Sequence, residues 1–163
     1  MDRRVVIATE PESRAQGPTD QPAESLADRR LAYAILRLTL GLNIYIHGTS
    51  RILRGVQQNF VVKYESQYAT TILPVPVAHV ALTMIPYIEA VMGGLLFIGL
   101  WTRGALAAGG LLMLVLVFGT AIRQDWNALN IQMLYALIYF VLLTLRHYNC
   151  FSIDTNFLNK TSK

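Results

Sequence analysis

The chain has 163 residues, 53% of them hydrophobic and only 15% charged, with a mean hydropathy of +0.39 and a net charge of +4. So little charge against so much apolar surface excludes an ordinary soluble domain. A single cysteine, Cys150, excludes an internal disulfide, a CxxC redox pair and a cysteine metal cluster. The basic balance reads as membrane orientation and contact with anionic lipid, and no nucleic-acid-binding motif accompanies it.

Residues 1–30 are polar, and "TEPESRAQGPTDQPAES" has the composition of a solvated, flexible tail. No short basic start followed by an apolar core precedes Leu31, which argues against a cleaved signal peptide. Four apolar segments follow: Leu31 to about Arg51, Val77–Leu100, Gly104–Ile122 and Asn127–Leu145. At about 1.5 Å rise per residue each can cross a hydrocarbon core of roughly 30 Å. None alternates as a barrel strand does, so helices are the backbone solution. The predicted fold is an all-α integral membrane protein, a four-transmembrane-helix bundle over residues 31–147, with a C-terminal tail from 148 to 163.

Between the first and second helices, residues 54–76 are too many for an unstructured link in so small a bundle. Val56, Phe60, Tyr64 and Tyr68 recur every four positions, predicting a short interfacial helix on the membrane surface that "LPVPV" then breaks. The second and third helices are joined through "WTR" and the third and fourth through "RQDWN", so these three lie side by side, with Trp101 and Trp126 at opposite interfaces. Arg29, Arg30, Arg103, Arg146, Lys160 and Lys163 fall on one side, against Arg51, Arg54, Lys63 and Arg123 on the other. That bias puts both termini in the cytoplasm. Gly41, Gly48, Gly93, Gly94, Gly104, Ala108 and Gly109 read as close helix packing rather than as a phosphate loop.

Polar groups inside apolar helices are costly and mark function. Arg37 shares a face of the first helix with Gly41, Ile44 and Gly48, while Asn43 and His47 share an adjoining face. With the termini inside, rise per residue sets Arg37 roughly 9 Å, Glu89 roughly 17 Å and His47 roughly 24 Å above the cytoplasmic edge. This predicts an Arg37–Glu89 ion pair, which either fixes helix register or forms part of a polar pocket. In the pocket reading Glu89 and His47 handle protons. Gln132, Tyr135 and Tyr139 share a face of the fourth helix and could bond a quinone carbonyl or Glu89. His47 and His79 admit a bis-histidine haem as a minor alternative. No serine nucleophile elbow, HExxH motif or Mg²⁺-binding acidic pair is present.

The stretches "LRLTLGLNIYIHGTSRI" (Leu36–Ile52) and "IEAVMGGLLFIGLWTRGALAAGGLLML" (Ile88–Leu114) resemble the DoxX family of small four-helix membrane proteins. The resemblance rests on an early arginine in helix one, His-Gly at its far end, a glutamate followed by paired glycines, and the Gly-Leu-x-Thr-Arg turn. "FGTAIRQDWNALNIQMLYALIYFVLL" is similar to the fourth-helix region of a subgroup, so the likeness covers about residues 31–147. That family includes a membrane subunit of an archaeal thiosulfate:quinone oxidoreductase and members associated with thiol and oxidative-stress systems. The resemblance implies Arg37, His47, Glu89, Thr102 and Arg103 as signature positions and the bacterial or archaeal cytoplasmic membrane as location.

Three functions fit these features. The first is the membrane subunit of a larger quinone-linked redox complex, its pocket bounded by Arg37, His47, Glu89, Gln132 and Tyr135. With no evident ligand set for a metal or flavin, electrons come from partner subunits, so any enzyme activity belongs to the complex. The second is a non-catalytic accessory or scaffold subunit in which Arg37–Glu89 is structural. A small transporter is third, without the inverted repeat that such proteins commonly show.

Overall fold

The computed structural model describes residues 21–154, and all of their regular structure is helical. α1 (Gln21–Leu53), α3 (Val75–Ile98), α4 (Thr102–Ile122) and α5 (Trp126–Thr144) are long; α2 (Val62–Glu65) is a single turn between α1 and α3. Three of them, α3, α4 and α5, are long and apolar enough to cross a membrane. α1 has 33 residues, but Arg37, Asn43, His47 and Arg51 interrupt its apolar stretch, which keeps it out of that group.

α1 begins at Gln21, ten positions before its apolar segment. Residues 21–30, expected as tail, therefore extend the helix, as the strong helix formers of "AESLADRR" allow. The remainder of the expected tails, residues 1–20 and 155–163 with Lys160 and Lys163, lies outside the described residues.

α1 and α3 pack antiparallel at close range. A Cβ on Gly41 would stand 2.6 Å from the Phe97 backbone nitrogen, one on Gly48 2.5 Å from the Pro86 carbonyl oxygen, and one on Gly93 2.7 Å from the Tyr45 Cα. Glycine is what lets these backbones touch. The contacts also fix the register, with Gly41 level with Phe97, Tyr45 with Gly93 and Gly48 with Ala90. Leu40, Ile44, Leu96, Leu106, Met113 and Leu142 fill the space between the long helices.

The segment after α1 is a composite: a π-helical turn at Val56–Val61, α2, then a 3₁₀ turn at Ser66–Tyr68. Its every-fourth stripe turns inward, Val56 and Tyr68 buried and Phe60 and Tyr64 half-buried against Ala78 and Leu82 of α3. At the opposite end α3 stops at Gly99, whose φ of 72° only glycine adopts cheaply, and both Gly99 and Leu100 donate to the Leu95 carbonyl.

Candidate functional site

Glu89 lies in the middle of α3 and is 3% exposed. Its carboxylate accepts a hydrogen bond from Arg51 Nη1 at 2.7 Å. Arg51 Nη2 lies 2.6 Å from His47 Nε2, and because a guanidinium carries no acceptor, the imidazole accepts there and holds its own proton on Nδ1. Glu89, Arg51 and His47 thus form a chain in which arginine donates to both neighbours.

Antiparallel register explains why Arg51, and not Arg37, is the partner. Glu89 is level with Thr49 of α1, two positions short of Arg51 and twelve positions from Arg37, roughly 18 Å along the helix. The expected Arg37–Glu89 ion pair is therefore corrected to Arg51–Glu89. Asn43, His47 and Arg51, at i, i+4 and i+8, make one polar stripe facing α5 and α3.

This stripe borders a cavity of about 220 Å³ lined also by Glu89, Gln132 and Tyr135. Of the five residues predicted to form the pocket, the structure brings four together, His47, Glu89, Gln132 and Tyr135, and leaves Arg37 elsewhere. Hydrogen bonding within the wall is selective. Tyr135 donates to Asn43 Oδ1 at 3.0 Å and Thr120 donates to Gln132 Oε1 at 2.7 Å. His47, Asn43 and Gln132 thus bring groups with N–H donors to the lining of the chamber. Tyr139, on the same face of α5, is 2% exposed and its ring lies against Gly109 of α4.

His79 accompanies none of these. It bonds Glu65 at 3.1 Å, and the register places it twelve residues from the level of His47, so the two histidines do not face one another as a bis-histidine haem requires.

Arg37 serves a different place. It is 2% exposed and donates through Nη1 to the Leu96 carbonyl at 2.7 Å and through Nη2 to the Phe151 carbonyl at 2.6 Å. Leu96 is in the last turn of α3, where carbonyls lack helical partners and a cation is favoured by the dipole. Across the turn the Asp154 carboxylate accepts from the backbone N–H groups of Trp101 and Thr102, both at 2.7 Å, capping α4. Burial alone would raise the Asp154 pKa, but these backbone hydrogen bonds and the nearby Arg37 charge hold it below the ordinary carboxylate value. Thr102 is buried at this start of α4, and Arg103 is exposed beside it.

No family model, no curated protein and no solved structure matches the chain. The geometry of the site is therefore the ground on which a function is assigned. Sequence reasoning passed over two residues of consequence. Arg51 is counted there only as an orientation charge, although its spacing from His47 and Asn43 could have flagged it. Asp154 gives no local signal, since its partner Thr102 is 52 positions away.

Proposed function

We propose that this chain is a DoxX-like protein of a bacterial or archaeal cytoplasmic membrane, in which α1 is a fourth span and the polar chamber is a quinone site of a larger redox complex. Support for the fourth span is that both arginines within the apolar stretch of α1 bond to protein groups, Arg37 through its two Nη atoms to carbonyls and Arg51 to Glu89. With four spans both termini face the cytoplasm.

The observation that carries the quinone reading is that His47, Asn43 and Gln132, all with N–H donors, line one chamber beside Glu89, which suits a guest with carbonyl acceptors. Its volume lies below the roughly 300–1,000 Å³ of drug-sized pockets and matches a single-ring headgroup. A bound quinone supplies two-electron, two-proton redox chemistry, with the electrons coming from a partner subunit. His47 and Glu89 both border the chamber, and Arg51 bonds both. Glu89 and His47 are thus the proton-handling pair, and Gln132, Tyr135 and Asn43 orient the ring.

The test is Glu89→Gln in native membranes. Quinone-linked turnover should be abolished while the amount of protein in the membrane stays unchanged. A second reading, the accessory or scaffold subunit, is favoured by the completeness of the Arg51–Glu89 pair, which is bonded without any guest. Parallel loss of protein and activity would support it, as would purification in mild detergent with partners that carry no redox centre.

A further inference from the structure

Next to the polar chamber lies a second cavity of about 320 Å³. Its walls are Phe60, Tyr64 and Tyr68 from the connecting segment, Ala81 from α3, and Val115 and Phe118 from α4. The two cavities share Arg51, Leu116, Ala128 and Gln132, so they meet at the guanidinium that bonds Glu89. On its other side that guanidinium lies 4.4 Å over the Phe60 ring.

The second cavity occupies the seam between α3 and α4, at the end away from their short turn. Tyr68 holds the connecting segment there by donating to the Gly119 carbonyl at 3.3 Å, and the Arg123 guanidinium lies 5.1 Å and 5.4 Å from the centres of the Tyr64 and Tyr68 rings. At the edge of the seam Val77, Val115 and Phe118 are about half exposed, on the face these apolar helices turn to lipid. The charges in the wall are already matched, Arg51 by Glu89 and Arg123 by Asp125 at 3.7 Å. No unbalanced charge calls for an ionic headgroup, and the remaining surface is aromatic and aliphatic. What fits is a neutral hydrocarbon.

We infer that the guest is an isoprenoid-tailed quinone that enters laterally from the lipid between α3 and α4, with its ring in the polar chamber and its tail held along the aromatic-roofed seam. This rests on reading the polar chamber as a quinone site and adds the tail, its path and the part played by the connecting segment. That segment then roofs a binding site.

The full chain in lipid nanodiscs is irradiated with two photoreactive quinones, one bearing a diazirine at the end of a short isoprenoid tail and one a tailless ring bearing the diazirine itself, each with and without excess unlabelled quinone. Adducts are located by mass spectrometry. The expected result is competed tail adducts on Val77, Ala81, Val115 or Phe118, and their loss in Ala81→Phe while competed ring adducts near His47 and Gln132 persist. Persistence of the ring adducts shows that this variant folds; Val115→Trp is the second variant should Ala81→Phe not accumulate. Competed tail adducts on α1 or α5 instead, or tail adducts on the seam that survive both substitutions, overturn the tail path and leave the polar chamber as a quinone site. Absence of competed adducts from either probe in the unsubstituted protein overturns both.

Discussion

Arg51 separates two environments with opposite demands, a buried carboxylate on one side and an aromatic ring on the other. Removing a buried charge's only partner is far costlier than removing both charges together. Arg51→Met should therefore lower stability by about 3–5 kcal/mol, and the double change Arg51→Met with Glu89→Met should recover most of it, as read by unfolding in detergent micelles. Asp154 gives a pH-dependent counterpart. Its pKa is lower in the folded protein than its ordinary 3.8, so its cap on α4 is fully present above that value and is lost as pH falls through the lowered one. Hydrogen exchange at the Trp101 and Thr102 amides should accelerate over that acid range, and Asp154→Asn should remove the transition. At this scale the sequence announces the polar residues but not their pairing. Glu89 is conspicuous as a carboxylate in an apolar run, yet choosing Arg51 over Arg37 needs a helix register set by backbone contacts at Gly41, Gly48 and Gly93.

Helix pairing rests on those same glycines. In Gly48→Ala the new methyl would lie 2.5 Å from the Pro86 carbonyl oxygen and against the Ala90 backbone, so α1 and α3 must part, at about 1–3 kcal/mol. Gly110→Ala meets nothing nearer than the Tyr139 Cβ at 4.0 Å and should leave the melting temperature unchanged or raised. Comparing the two variants by thermal melting separates close approach from mere helix propensity. Element by element, the apolar runs show where α3, α4 and α5 lie to within a few residues, because length and hydropathy suffice for that. The connecting segment is harder. Its four-residue period marks a helical stripe correctly, but which neighbour the stripe meets is not legible, and the docking of Val56 and Tyr68 beside Ala78 and Leu82 supplies it. The start of α1 at Gln21 has a similar cause: the polar composition that resembles a tail also contains good helix formers.

For the whole molecule, successive crossings by α3, α4 and α5 would put Cys150 and the connecting segment on opposite sides of a membrane, and the proposed fourth span, α1, would return the start of α1 to the Cys150 side. A membrane-impermeant thiol reagent should label Cys150, which is exposed, only from the cytoplasmic face. In a Cys150→Ser background, Gln58→Cys should be labelled only from the other face and Ala27→Cys, at the start of α1, only from the cytoplasmic one; labelling of Ala27→Cys and Gln58→Cys from the same face would leave α3, α4 and α5 as the spans. The fold class is legible from composition because hydrocarbon leaves the backbone few choices; the chamber is only half legible, because it arises where α1, α3 and α5 converge. The Arg37 clamp also imposes an order in time. Arg37 and the Phe151 carbonyl are 114 positions apart, so a chain emerging from the ribosome inserts the guanidinium long before its second acceptor has been made. Until residue 151 is added, the first helix carries a charge with an unmet need inside the bundle, and nascent chains stalled earlier should be preferred prey for membrane quality-control proteases.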